Sequence, residues 1–361
     1  MKKFNPWSVL PASFQRLLPS NLVDEISSHC IGVTKLSAGL SNSNYRLHML
    51  HQDWVLRDNK NVQQWCDRDN EVICWQMVEA VKLAPKLIWK SANKQFYLSE
   101  FIKQDRFDWS SIYSEYGFNS RERPVNSVFH LNPISQSAED QTLLKNKQQQ
   151  ALDPVEHLLK LLCELSRLPL PPKVISLTQQ WQVYLESLTT ISQVEKNQQW
   201  QSSFRQLKQR QVEMNAWLAD LESCLIAPQF CHRDLSPYNL LFCDDKLQCI
   251  DFEYCAASHP MFDLASVLTT HQLTSHQVTS LCKQYFAEQP NLKVGASQYV
   301  RQIINCFWMF AAAWALMMAG TEVEDTGKEA EAPIVGNKLT DIAEVKASYF
   351  TLFNKYLSLI S

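Results

Sequence analysis

Three side chains between residues 230 and 254 are spaced for phosphate chemistry. In FCHRDLSPYNLLFCDDKLQCIDFEY, Asp234 offers a carboxylate able to take or orient a hydroxyl proton. Asn239 and Asp251 offer hard oxygen atoms of the kind that hold a divalent cation. Phosphoryl transfer asks little more of a protein, because positioning and charge neutralisation supply most of the catalysis. Asn239-Leu240-Leu241-Phe242, the polar pair Asp244-Asp245 and Leu247-Gln248-Cys249-Ile250 predict a β-hairpin that brings Asn239 and Asp251 to one end. A hairpin with solvated acids at its turn would account for any one of these residues; the three in order and at this spacing point to a nucleotide and Mg2+.

The surrounding patterns say what must hold them. Residues 1–28 carry an apolar helical pattern (Phe14, Leu17, Leu18, Leu22, Val23, Ile26) and predict one leading helix. Ile31 to Leu36 and Tyr45 to Met49 predict a hairpin, whose turn has one glycine and several Ser/Asn donors, suited to phosphate oxygens and equally to an ordinary loop. Trp54 to Arg57 predicts a strand, Arg68 to Val81 a helix, and Leu87 to Trp89 with Gln95 to Ile102 another hairpin. Residues 103–150 lack a sustained period and exceed the ~12–15 residues usual for a loop, so they form an insertion or lid. Its aromatics (Phe107, Trp109, Tyr113, Tyr116, Phe118) predict that the first half docks on the rest.

From Pro154 onward the pattern is helical, with Val155, Leu158, Leu159, Leu162 and Leu165 on one face, then Trp181 to Leu188 and one pattern over Phe204 to Leu225. Asp263 opens the helix after the hairpin and reads as a structural cap for its free N–H groups. The helix over Ile303 to Met318 carries Phe307, Trp308, Phe310 and Trp314, and such a stripe is more often core than cage. A charged loop, Gly320 to Lys338, leads to a last helix, Asp341 to Leu357.

HRDLSPYNLLF, IDFEY and FDLA resemble the choline/ethanolamine kinase and aminoglycoside phosphotransferase superfamily, which shares the protein kinase fold. The resemblance implies an α+β, bilobal protein kinase-like fold: an N-terminal lobe (1–102) with a small antiparallel sheet, the 103–150 insertion, and a mostly helical C-terminal lobe (151–361), with ATP between the lobes. In that family the residue matching Asp234 accepts or orients the substrate hydroxyl, and those matching Asn239 and Asp251 hold Mg2+. Gly39-Leu40-Ser41-Asn42 is similar to the phosphate-loop turn of choline kinases. Arg57 stands where protein kinases place a phosphate-gripping lysine and choline kinases an arginine, and Glu71 looks like its acidic partner; a surface salt bridge within the helix is the equal alternative.

The same resemblance makes Glu100 to Ile102 the hinge that would pair with an adenine edge. Glu253, where protein kinases carry glycine, points to the choline kinase side and to the acceptor. Choline kinases have an aromatic helix with a Trp-x-x-Trp pair here, and aromatic faces attract quaternary ammonium groups. Trp308 fits that pattern; position 311 is alanine and the next tryptophan is Trp314. Only eleven residues separate Asp251 from Asp263, which leaves no platform for a peptide and favours a small acceptor; the resemblance implies an amine-bearing alcohol. Choline or ethanolamine come first, then thiamine, an aminosugar or an aminoglycoside; a protein kinase and a catalytically silent nucleotide-binding scaffold are the rivals.

Composition agrees with a small-molecule partner. Lys and Arg number 34 against 37 Asp and Glu, net −3, with no cluster of basic and aromatic residues, so no nucleic-acid footprint is present. The eleven cysteines are scattered, with no Cys-x-x-Cys, and read as reduced thiols of a cytoplasmic protein. The first residues lack the apolar core of a signal peptide. Ile303 to Ala319 is interrupted by Asn305 and is shorter than the ~20 residues of a spanning helix, so a buried helix is expected and no membrane contact.

Overall fold

Five strands form an antiparallel sheet in the order β1-β2-β3-β5-β4: β1 (Cys30–Leu36), β2 (Ser43–Met49), β3 (Trp54–Asp58), β4 (Leu87–Lys90) and β5 (Phe96–Glu100). The computed structural model describes residues 5–36, 42–59, 66–104, 108–113, 153–320, 334–335, 338–339 and 342–361. Apolar residues from the sheet and the leading helices bury together: Val33, Leu47, Leu56, Phe96 and Leu98 pack with Phe14 and Ile26. The single leading helix expected over 1–28 is instead two, α1 (Ala12–Leu17) and α2 (Ser20–His29). Pro19 separates them in an extended conformation, φ −68° and ψ 149°, since its ring cannot follow a helical turn.

Helix α3 (Arg68–Ala80) follows β3 and starts on Asp67, whose carboxylate accepts from the N–H groups of Asp69 and Asn70. Its buried residues Val72, Cys74, Trp75 and Val78 join the large core of the helical half. Asn70 fastens the two halves: its Nδ2 donates to the Cys255 carbonyl at 2.8 Å, and its Oδ1 accepts from Lys173 N at 3.0 Å.

Among the described residues, eight longer helices build the rest: α5 (Pro154–Ser166), α6 (Leu177–Val194), α7 (Gln198–Gln209), α8 (Gln211–Cys224), α9 (Met261–Thr270), α10 (Ser275–Glu288), the central α11 (Val300–Gly320) and the last, α12 (Ile342–Ser358). The single pattern expected over Phe204 to Leu225 divides at Arg210 into α7 and α8. Helix α11 packs against α6, α7, α8, α9 and α12. It is longer than its apolar run: Ala296–Gly320 is long and apolar enough to cross a membrane by length and composition, but 72% of that window lies inside the protein. Asn305, its polar interruption, pairs with both backbone groups of Ser361. Gly320 is required for packing, because a Cβ there would lie 2.5 Å from Trp200 Nε1 and 2.6 Å from Ile191.

Between α8 and α9 lie β6 (Gln229–Cys231), β7 (Leu240–Cys243), β8 (Lys246–Cys249) and β9 (Ala256–Ser258), paired β6 with β9 and β7 with β8. Asp244 and Asp245 turn the β7–β8 hairpin at φ 51° and 57°, the left-handed pair that matches the twist of a two-residue hairpin. A short helix, α4 (Trp109–Tyr113), docks on this half: Trp109 is buried, donates its indole N–H to His271 Nε2 at 3.1 Å and lies against Phe242. Phe107, Tyr116 and Phe118 fall outside the described residues, and the loop after Gly320 contains a described strand pair, β10 (Ile334–Val335) with β11 (Lys338–Leu339).

Candidate active site

The chain leaves β6 at Cys231 and turns sharply through His232 and Arg233 to reach Asp234. Arg233 has φ 71°, a left-handed backbone that costs a non-glycine residue about 1–3 kcal/mol and persists only where neighbours enforce it. Asp263 enforces it. Its Oδ2 accepts from His232 N at 2.9 Å and its Oδ1 from Arg233 N at 2.7 Å. Asp263 therefore clamps the loop before Asp234 and does not cap its own helix, which corrects the expectation from sequence. The Arg233 guanidinium runs away from the loop, donating to Gln180 Oε1 at 2.7 Å and lying over the Phe262 ring.

Asp234 and Asn239 meet directly. Asn239, at the end of a short 3-10 turn, donates its Nδ2 to Asp234 Oδ2 at 2.8 Å and to the Asp234 carbonyl at 3.1 Å. Its own carbonyl accepts from Ile250 N at 3.0 Å, extending the β7–β8 ladder by one pair and delivering Asp251 to the same end. Asp251 is also left-handed, φ 70°, a second strained residue at the site.

Arg57 on β3 meets Asp251 from the sheet side. Its Nη1 lies 2.9 Å from Asp251 Oδ1 and 3.2 Å from Glu71 Oε1, and its Nη2 lies 3.2 Å from Glu253 Oε2. Glu71 also pairs within its helix, its Oε2 taking Arg68, three residues before it on α3, at 2.7 Å, but both groups are buried, so this is not the surface salt bridge of the alternative reading. Tyr97 OH donates to the same oxygen at 3.1 Å. Burial works against the charge on Arg57, but the carboxylates of Asp251, Glu71 and Glu253 overcome it and raise its pKa.

Negative charge is in surplus here. Loss of water, then the charges of Asp251 and Glu253, push Asp234 up to about 7. Glu253 is likewise raised to about 7, by burial first and Asp251 second. Surface exposure places Asp234 only half in, so solvent screens part of this effect. A crowd of hard oxygens with more carboxylates than guanidiniums is a donor set that suits Mg2+, which is commonly held by one or two carboxylates and completed by phosphates and water. Among the described residues, no three His, Cys, Asp or Glu side chains are grouped as a self-sufficient metal cage.

An aromatic pair, Trp308 and Tyr356, packs together, with Tyr356 within electrostatic reach of Asp234. Burial and then Asp234 push the Tyr356 phenol on α12 up to about 12, and Trp308 on α11 stacks on Tyr356 with centroids 5.5 Å apart and planes 19° from parallel. Trp308 is partly exposed. Phe310 packs against Trp181, Tyr184 and Phe262 in the core, as its place in the stripe predicts, and Trp314 packs edge-on against Tyr349. Nothing in the sequence pattern singled out Tyr356.

Glu100 ends β5, with its N–H on the Lys86 carbonyl, and the Phe101 N–H pairs with Asp53. The Ile102 N–H has no partner among the described residues. Two residues on, Gln104 Oε1 accepts from Phe242 N at 2.8 Å and from Trp109 N at 3.0 Å. One amide thus ties the segment after β5 to the hairpin that carries Asn239. Of the four phosphate-loop candidates, Asn42 directly precedes β2, while Gly39, Leu40 and Ser41 lie outside the described residues.

A sheet lobe, a helical lobe and an acidic site on the β7–β8 hairpin between them define the protein kinase-like phosphotransferase fold. Solved structures of that class align along nearly the whole chain. Choline kinase LicA from Streptococcus pneumoniae has a TM-score of 0.59 at 16% identity, covering 94% of this chain and 98% of that one. A choline/ethanolamine kinase family protein from Mesorhizobium loti has a TM-score of 0.58 at 14% identity, covering 96% and 97%. An ADP-bound aminoglycoside phosphotransferase has a TM-score of 0.54 at 13% identity, covering 95% and 99%. In sequence, 86 residues are 31% identical to Protein LicA of Haemophilus influenzae; they span 23% of this chain and 32% of that relative's length. Residues 33–319 match the choline/ethanolamine kinase family, and the chain belongs to it.

Proposed function

We propose that this protein moves the γ-phosphoryl group of ATP to a hydroxyl of a small amine-bearing alcohol, with choline or ethanolamine the first candidates. The carrying observation is the meeting of Asp234, Asn239 and Asp251 at one end of the β7–β8 hairpin, against Arg57. Residues 1–102 would form the lobe over the nucleotide and 151–361 the lobe beneath it, joined through the 103–150 insertion.

Asp234 takes or orients the acceptor's hydroxyl proton, and its bond to Asn239 Nδ2 fixes which oxygen faces the acceptor. Asn239 and Asp251 would hold Mg2+, which when bound neutralises charge on the transferring phosphoryl group. Arg57 presents donors to the phosphates, oriented by Glu71. Gly39 to Asn42 would close over the phosphates, and the backbone of Glu100 to Ile102 would pair with adenine. The cationic end of the acceptor lies between the Asp234 carboxylate and the faces of Trp308 and Tyr356, where ion pairing and cation–π attraction add. Glu253, expected from the resemblance to face the acceptor, is instead buried against Arg57 and Arg68.

An ATP-consumption screen over choline, ethanolamine, thiamine, glucosamine and an aminoglycoside tests this, with Asp234→Asn as control. Turnover of at least one hydroxylated amine, lost in the variant, is expected. ATP bound with Mg2+ and no acceptor phosphorylated would leave the chain a nucleotide-binding scaffold.

A further inference from the structure

Arg57 has more carboxylates around it than it can serve while also reaching a nucleotide. Both of its Nη atoms are taken, by Glu71 and Asp251 at Nη1 and by Glu253 at Nη2. A second arginine shares this load. Arg68 Nη1 lies 2.7 Å from Glu71 Oε2 and 3.5 Å from Glu253 Oε2, so it duplicates two of the three ion pairs of Arg57. Arg68 is buried, and its Nε and Nη2 have no partner among the described residues. A buried charge is costly unless paired, so Glu71 and Glu253 are what keep this guanidinium at that depth.

The carboxylate that Arg68 does not touch is the informative one. Asp251 pairs with Arg57 alone of the two arginines, and Asp251 is the side chain that a bound cation would take over. We infer that Arg68 is a positioning residue that frees Arg57: it keeps Glu71 and Glu253 neutralised when Asp251 turns to the metal-bound nucleotide, so that Arg57 can present a donor edge to the phosphates. This rests on the kinase reading. Without Arg68, two buried carboxylates fall to Arg57, which stays drawn to them and away from ATP.

Calorimetric titration of ATP with Mg2+ tests this without turnover, using wild type, Arg68→Met, Arg68→Lys, Glu253→Gln and the double variant R68M/E253Q, each checked for folding by circular dichroism. R68M is expected to bind ATP about tenfold more weakly, and R68K within about threefold of wild type, because a single donor position makes both contacts. E253Q in the R68M background is expected to recover most of the loss, since one carboxylate fewer competes for Arg57; a merely structural role for Arg68 would not be rescued by a second substitution. E253Q alone, with Arg68 in place, is expected to bind ATP as well as wild type or better, which keeps the test open if R68M fails to fold. Wild type that binds no ATP overturns the kinase reading, and this proposal with it. Wild type that binds ATP while R68M binds equally well, R68M/E253Q binds no better than R68M, or E253Q alone binds more weakly, overturns the proposal alone.

Discussion

The site has an acidic floor and an aromatic wall, and they are built in opposite ways. Asp234, Asn239 and Asp251 come from one short stretch, and local backbone geometry brings them together: a clamped left-handed turn at Arg233, a hairpin turned at Asp244-Asp245, and one hydrogen bond from Ile250 to Asn239. Trp308 and Tyr356 come from α11 and α12 and meet only because those helices pack. Chemistry that tolerates little displacement is set by short-range backbone geometry and then locked by Asp263 and Arg57 from elsewhere in the chain. Under the proposed function, recognition of a cationic acceptor, which depends weakly on orientation, would be left to helix packing.

Substitutions should separate floor from wall. The largest effect is expected for Asp234→Asn: steady-state kinetics with the best acceptor should show kcat lower by about 10²–10⁴ while ATP affinity, titrated directly, holds, as for loss of a general base. Trp308→Ala should act on the wall alone, raising KM for a cationic acceptor by about 2- to 30-fold, the range of an exposed to a desolvated cation–π contact, with kcat nearly unchanged. An uncharged alcohol of the same shape should show no such difference, and a fall in kcat equal to the rise in KM would erase the distinction.

The floor should also reveal itself by pH. Asp234 sits near 7 in the ligand-free protein and must be ionised to act, so kcat/KM should climb about tenfold per pH unit on the acid side and then level, with a midpoint below 7 because Mg2+ at Asp251 would offset part of the charge that raises Asp234. Asp234 and Glu253 both respond to Asp251, so the measured value belongs to the group, and Asp251→Asn should lower it in a nucleotide-free titration. The sign for stability is the reverse. Folded pKa values above the unfolded ones mean that Asp234 and Glu253 hold extra protons in the folded state, so their contribution to stability is lost as pH rises from about 4 through about 7. His232 and His259, pushed down to about 4 by burial, contribute in the opposite direction, so the Asp234 share is read as the difference between wild type and Asp234→Asn. Melting temperatures across that range check it. The smallest kinetic effect is expected for Gly320→Ala, which overpacks α11 against Trp200 and should lower the melting temperature by several degrees while leaving kcat in place.

Strands β1 to β5, the β7–β8 hairpin and several long helices were legible because their patterns are local: alternation over Trp54 to Arg57, a two-residue acidic turn, a helical period over Pro154 to Leu165; α10 and the β6–β9 pair were not read. The leading helix was misjudged because an apolar period passes through Pro19, where the backbone cannot follow it. Asp263 was given its own helix as partner, since sequence shows the nearest free N–H groups and not the strained loop folded back on it.

By itself, the order of Asp234, Asn239 and Asp251 along the chain determined the chemistry this protein can attempt, because the spacing needs only a turn and a hairpin to converge. Tertiary structure alone decided who shares the charge and which distant side chains meet: Arg68 beside Arg57, Gln104 bridging to Phe242, Tyr356 stacked on Trp308. Those pairings join residues of different helices and strands. Burial sets their strength, and burial is a property of the packed molecule that no short stretch of sequence carries.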